Sequence, residues 1–272
     1  MTDLPTTSAL ELHLSGYWLQ IRLNQPERRN CLSPAMVTEL RQVFDWLPQQ
    51  RAIRGVSLRG NGGMFCAGGD LREFQRIAEA GDTAHDMATA MSLEIATLLR
   101  QIAQLPQLTV ALLEGAAMAG GFGVACATDI VVATPDCRFA LTETRIGITP
   151  AQIAPYVIPR VGLSRGRRLL LLGGQFRGDA AHTMGIVDEL ATDGDDLARI
   201  EAGLREELRM AAPGGVAATK RVIQLHSDQA LDDFIAPAAA LFADCLVSPE
   251  GQEGFHSFLD KVPPSWQRVE PE

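Results

Sequence analysis

Two glycine-rich stretches hold the residues of this 272-residue chain whose spacing could do chemistry. The first is Phe65-Cys66-Ala67-Gly68-Gly69-Asp70-Leu71. The second runs Glu114-Gly115-Ala116-Ala117-Met118-Ala119-Gly120-Gly121-Phe122-Gly123. Each stands between an apolar strand pattern and the start of a helix pattern. The leading N–H groups of a helix have no partner inside it and carry the positive end of its dipole. Glycine lets a backbone approach a ligand closely and reach positive φ. Two such helix starts aimed at one point would give two donors to one oxygen atom, which is an oxyanion hole. A single glycine turn is only a turn; a second, again after an apolar strand, suggests the pair without establishing it.

Other chemistries find less support. The five cysteines, Cys31, Cys66, Cys126, Cys137 and Cys245, form no C-x-x-C pair. Their pattern is that of reduced thiols in a cytoplasmic protein. Cys66 and Cys126 lie near the glycine turns, but no histidine is close in sequence to activate them, so they read as buried filler. The five histidines are scattered without H-E-x-x-H spacing, and no metal site is expected.

Several elements must position the two turns. Tyr17 to Leu23 alternates in polarity as a half-buried strand does, and Asn24-Gln25-Pro26 stops it. Ser33-Pro34 pairs an N-cap with proline at the first helical position, predicting a helix toward Leu47. Ile53 to Leu58 reads as a strand before the first turn, and helix resumes at Asp70. A long amphipathic helix is expected from Met87 to Leu105, ended by Pro106. Leu108 to Leu113 is a continuous apolar run, the pattern of a strand covered on both faces. A short helix after the second turn leads to the strand Ile130 to Ala133. From about Asp195 the pattern is helical throughout, with Pro213 and Ser248-Pro249 as helix starts. The expected organisation is an α/β body over residues 1–194 and a helical segment over 195–272.

Composition agrees with a globular chain, 46% hydrophobic and 21% charged. A net charge of −9 argues against a nucleic-acid partner, which calls for a basic face. The N-terminus lacks the basic and apolar regions of a signal peptide, and no apolar run reaches the length of a membrane span. A cytoplasmic protein is the expectation.

Four ordered stretches resemble the crotonase, or enoyl-CoA hydratase/isomerase, superfamily over nearly the whole chain. They are Arg22 to Asn30, FCAGGDL (Phe65 to Leu71), EGAAMAGGFGVACATDI (Glu114 to Ile130), and Leu172-Gly173-Gly174 with Ala180 to Val187. The resemblance implies a spiral of ββα repeats with a C-terminal helical segment that builds trimers, paired as hexamers. It implies an acyl-CoA thioester substrate, with coenzyme A entering as part of the substrate and no further cofactor. The oxyanion donors would be the N–H groups of Gly69 and Gly120. They would stabilise the enolate formed when a thioester is attacked at Cβ or deprotonated at Cα or Cγ.

One departure stands out. Hydratases of this family with two glutamates carry the first at the position of Gly123, and here that carboxylate is absent. The second falls on Glu143, the acid/base the resemblance supplies. Family isomerases with a single acid have a similar setting. Thr142 to Val157 (TETRIGITPAQIAPYV) more closely resembles bacterial hydratases of branched glutaconyl-CoA thioesters, including 3-methylglutaconyl-CoA and its isohexenyl analogue. A binding-only homologue is the third reading.

Further substrate contacts would come from Ala67, Asp70, Leu71, Gly121 and Gly123 in the turns. Arg28 and Arg29 could meet CoA phosphates or simply be solvated. Phe258 and Lys261 are similar to the family segment that reaches a neighbouring subunit's CoA. Arg145 could pair a distal substrate carboxylate, or brace Glu143 or Asp129. Met87, Met91 and Leu98 recur at helical spacing and read as core more readily than as acyl pocket.

Overall fold

The computed structural model describes residues 3–228 and 230–268. The chain opens with a hairpin, β1 (Leu10–Ser15) and β2 (Trp18–Leu23), followed by α1 (Pro34–Trp46) and β3 (Gly55–Gly60). After β3 come α2 (Leu71–Ala78) and α3 (Ala84–Gln104). Next are β4 (Leu108–Leu113), β5 (Ala116–Met118), α4 (Gly120–Ala127), β6 (Ile130–Ala133), β7 (Arg138–Ala140) and α5 (Ala154–Leu172). Then follow β8 (Phe176–Arg177), α6 (Gly178–Met184) and β9 (Glu189–Leu190). The chain ends in α7 (Gly194–Met210), α8 (Pro213–Asp228), α9 (Leu231–Val247) and α10 (Pro249–Asp260).

The strands form two sheets. The larger runs β1-β2-β3-β4-β6-β9 and is parallel after the β1–β2 hairpin. The smaller runs β5-β7-β8, with β5 and β7 parallel. Successive repeats give one strand to each sheet and then a helix: β4, β5, α4, and then β6, β7, α5. This is the expected α/β spiral. The continuous apolar run of β4 is buried because helices cover both faces of the sheet. On one face α1, α3 and α4 pack a core that includes Leu19, Ile21, Phe44, Leu58, Leu99 and Phe122. Ser33 caps α1 as its sequence predicts, its Oγ accepting from the Met36 N–H at 3.2 Å.

The other face is covered by α7, which sets Leu197, Ile200 and Leu208 on Trp18, Val110, Leu112 and Val132. The first helix of the expected C-terminal segment is thus part of the sheet's packing. Buried Glu201 of α7 accepts from Trp18 Nε1 at 2.8 Å and Ser57 Oγ at 2.5 Å, so its polar atoms are met inside the core. Arg54 donates to the Leu208 and Ala211 carbonyls at 2.6 and 2.5 Å and caps the end of α7. Buried Lys220 anchors α8, donating to Gln107 O at 2.8 Å and to Asp129 Oδ2 at 2.5 Å.

Beyond that anchor the packing thins. None of the residues of α9 is buried, and Phe242, Val247, Phe258 and Leu259 stand open to solvent. Among the described residues no helix is long and apolar enough to cross a membrane.

Candidate active site

Three neighbouring parallel segments end at the site. Cys66 pairs in parallel with Ala117 of β5, its N–H donating to Ala116 O and its carbonyl accepting from the Met118 N–H, both at 3.0 Å. β5 pairs in parallel with β7, Ala117 opposite Phe139 and Met118 opposite Ala140. Gly69, Gly120 and Glu143 each follow within a few residues of these paired positions. Neighbouring strands lie about 5 Å apart, so near-equal register delivers all three residues to one end of the small sheet. The carboxyl ends of parallel strands are where open α/β sheets bind ligands.

The sequence explains why the chain turns there. Gly68 adopts φ +95°, and a Cβ on it would lie 2.9 Å from both the Ala119 Cβ and the Met118 carbonyl oxygen. The two turns therefore touch, and only glycine allows it. Gly120 is the first residue of α4. Neither the Gly120 N–H nor the Gly69 N–H donates to an acceptor among the described residues. Ala119 holds φ 48° and ψ −120°, a region that costs a residue with a Cβ about 1–3 kcal/mol. Its N–H is fixed by Ala140 O at 2.8 Å, which ties the end of β5 to that of β7. Helix α4 is almost wholly buried, and Phe122 meets Phe139 and Phe176 edge-on at 5.7 and 6.0 Å.

Glu143 opens a short 3-10 turn after β7. It is 7% exposed, and its Oε2 is buried without a hydrogen-bond partner among the described residues. Burial pushes its carboxyl above the ordinary glutamate value of 4.5, only partly offset by its own backbone N–H. A buried acid with a raised pKa and a spare oxygen is equipped to exchange protons with a substrate. At Gly123 a Cβ would meet Ile153 Cγ1 at 2.9 Å. Buried Ile153 thus fills the place a side chain at 123 would take. Cysteine chemistry is disfavoured, since burial drives the Cys66 thiol up to about 12.

The remaining expected residues fall into two groups. Asp70 caps α2, its Oδ1 accepting from the Arg72 N–H at 3.2 Å and its Oδ2 from Arg28 Nη2 at 2.5 Å. Ala67 donates its N–H to Arg29 O at 3.0 Å, Leu71 is exposed, and Gly121 is buried where a Cβ would strike Cys66. All belong to the two turns. Arg145 points its Nε at Leu172 O, 3.1 Å away, and braces neither Glu143 nor Asp129, which Lys220 holds. Phe258 and Lys261 lie on and just after α10, exposed, and the Lys261 side chain bonds to no described residue. Sequence reasoning did not single out Leu32, Phe74 or Ile153, which back the glycines. Their spacing carried no signal, because each acts through contact with a glycine distant in sequence or a turn away. No group of three metal-ligating side chains occurs among the described residues.

Known proteins share this fold. The family model described as enoyl-CoA hydratase/isomerase matches residues 17–269. The structure of Pseudomonas aeruginosa AtuE superposes with a TM-score of 0.91 at 39% identity, covering 96% of this chain and 100% of that one. An enoyl-CoA hydratase/isomerase from Marinobacter aquaeolei gives 0.90 at 35% identity, covering 96% and 99%. Human mitochondrial methylglutaconyl-CoA hydratase is 27% identical over 250 residues, 90% of this chain and 72% of that protein.

Proposed function

The chain belongs to the enoyl-CoA hydratase/isomerase family, and from that premise we propose that it hydrates branched glutaconyl-type acyl-CoA thioesters, 3-methylglutaconyl-CoA or isohexenylglutaconyl-CoA. Glu143 carries this reading. It is a buried carboxyl with one oxygen unpartnered among the described residues, one strand from the Gly120 N–H and two from the Gly69 N–H, which are likewise unpaired there. The thioester oxygen accepts from the Gly69 and Gly120 N–H groups. Glu143 takes a proton from water as the water oxygen bonds to Cβ. The π electrons move onto the thioester as an enolate, whose growing charge the two donors favour over the ground state. The protonated Glu143 then returns its proton to Cα on the same face, regenerating the thioester carbonyl. Coenzyme A enters with the substrate, and no other cofactor takes part.

The branched acid substrate is supported by the Thr142–Val157 stretch and by likeness to the methylglutaconyl-CoA hydratase. The Nη groups of Arg145 and the Thr149 N–H, unpaired among the described residues, are the donors assigned to its distal carboxylate. The test compares kcat/KM for 3-methylglutaconyl-CoA and crotonyl-CoA, following loss of the conjugated absorbance. A preference for the former is expected, and a preference for crotonyl-CoA overturns the carboxylated substrate.

One observation favours a second reading. Apolar Ile153 at the Gly123 position offers no second group to hold a water, and an isomerase needs only one acid to move a proton between Cα and Cγ. Gain of conjugated absorbance from a 3-enoyl-CoA, without hydration of the 2-enoyl product, selects it. Tight acyl-CoA binding without turnover selects a binding-only protein.

The open apolar residues of α9 and α10 support assembly through the helices after α7 into trimers or hexamers, with Phe258 and Lys261 reaching a neighbour's CoA. Sedimentation showing an active monomer overturns this.

A further inference from the structure

The segment before α1 is held more firmly than its loop character requires. Arg29 and Asn30 both take positive φ, 53° and 51°. Asn30 is fully buried and satisfied, its Oδ1 accepting from the Gln25 N–H at 2.9 Å. Its Nδ2 donates to Asn61 O at 2.9 Å and to Met64 O at 2.7 Å. This bend lays the next residues beside the first glycine turn. The Leu32 N–H donates to Gly68 O at 2.8 Å, and Leu32 pairs in parallel with Gly69. Its side chain goes elsewhere: a Cβ on Gly120 would lie 2.8 Å from Leu32 Cδ1.

We propose that Leu32 is a positioning residue of the oxyanion hole, setting the separation of the Gly69 and Gly120 N–H groups. Its backbone holds one donor turn and its side chain backs the other donor. The two turns already touch at Gly68 and Ala119; Leu32 fixes them one residue further on, at the donors. Phe74 completes the arrangement from α2, its ring 2.5 Å from where a Cβ on Gly69 would stand. Each donor glycine therefore has an apolar side chain in the space its missing Cβ leaves. The inference rests on the reading of Gly69 and Gly120 as oxyanion donors.

Preorganised donors lose their value when displaced, because the developing oxyanion cannot move to follow them. A residue that merely fills space would lower stability and leave the chemistry alone. Leu32→Ala, Leu32→Met and the unsubstituted protein are to be compared on the best enoyl-CoA substrate. Binding of acetoacetyl-CoA, whose enolate absorbs in the near ultraviolet, and of butyryl-CoA, which does not readily enolise, is measured beside it. Leu32→Ala is expected to lower kcat about 10- to 100-fold and weaken the enolate band, as a small displacement of a donor should. KM and butyryl-CoA affinity are expected to hold, and Leu32→Met to restore most of the loss. If Leu32→Ala does not fold, Leu32→Val decides, with the same signs and a smaller effect. A lowered melting temperature with kcat and the band unchanged makes Leu32 a filler and overturns the inference. A parent protein with neither turnover nor band overturns the reading of the site itself, and the inference with it.

Discussion

The strand ends that carry the site and the helices that close the chain are built on opposite terms. At the site every glycine that matters is pressed on: Gly68 by Ala119 and Met118, Gly69 by Phe74, Gly120 by Leu32, Gly121 by Cys66 and Gly123 by Ile153. In α9 and α10 several large apolar side chains stand open to solvent, Phe242 and Leu259 among them, and Phe258 is 83% exposed. The proposed oxyanion donors and acid are thus backed by residues of the same chain, whereas the last two helices leave apolar side chains open to solvent. Precision is concentrated where a displacement of well under an ångström matters.

The largest expected effect bears on the site. Glu143→Gln should cut turnover by about 10²–10⁴ while acyl-CoA binding survives, since no second motif carboxylate replaces it. Steady-state kinetics beside a binding titration checks this, and near-normal turnover removes Glu143 from the mechanism. The same residue sets a pH dependence. Its folded pKa is raised, so its stabilising balance holds in acid and is lost as pH rises through that value. Stability near neutral pH should therefore be greater in Glu143→Gln, the gap closing in acid. The acid limb of kcat/KM should lie above 4.5 and vanish in the residual activity of the variant. A limb at the ordinary glutamate position, or one that persists, would show that another group titrates.

Gly123→Glu sharpens the contrast next. The new Cβ would lie 2.9 Å from Ile153, an overpacking that costs about 1–3 kcal/mol. Its carboxylate would also raise one pKa of the pair with Glu143 and repel an anionic substrate. Calorimetry and kcat/KM for 3-methylglutaconyl-CoA should both fall. Adding Ile153→Ala should recover stability more than activity.

A paired substitution in the helices should do the reverse. Phe258→Ser with Leu259→Ser removes exposed apolar surface, so the isolated fold should hold within about 0.5 kcal/mol while association weakens. Sedimentation reads the second effect, and unchanged association places the contact elsewhere. The smallest effect is expected at Ala119. Ala119→Gly relieves a strained φ and should stabilise the chain by up to about 1 kcal/mol, net of the entropy glycine adds to the unfolded state. A loss of stability there would show that the methyl's contact with the Gly68 turn outweighs the strain.

Much of this was legible in the residues, for stated reasons. The strands β2, β3, β4 and β6 announce themselves by alternation or by unbroken apolar runs, and α1 by Ser33-Pro34. β1 was readable too, in Leu10, Leu12 and Leu14, but lies ahead of the stretches that attract notice. Gly69, Gly120 and Glu143 were legible as candidates because local motifs mark them, and the fold brings them to one end of the small sheet. What stayed hidden depends on contacts that sequence spacing does not encode. Ile153 reaches Gly123 from thirty residues away. Arg145 is a charge whose direction only the fold gives. Helix α7 reads as the start of a separate segment because its amphipathic pattern does not say which surface receives Leu197 and Ile200.

The burial of Glu143 has an isotopic consequence. A carboxyl shielded from bulk solvent hands on the hydron it has just received before that hydron can exchange. With a 3-enoyl-CoA carrying deuterium at Cα, a sealed relay would carry the label to Cγ within the same molecule, even in ordinary water. In hydration run in deuterated water, the relay's hydron comes from the attacking water itself. Both the new hydroxyl and the new Cα–D bond would then trace to one solvent molecule, on one face of the acyl chain. Label washed out to the solvent composition would mean that the carboxyl opens to bulk water between its two steps.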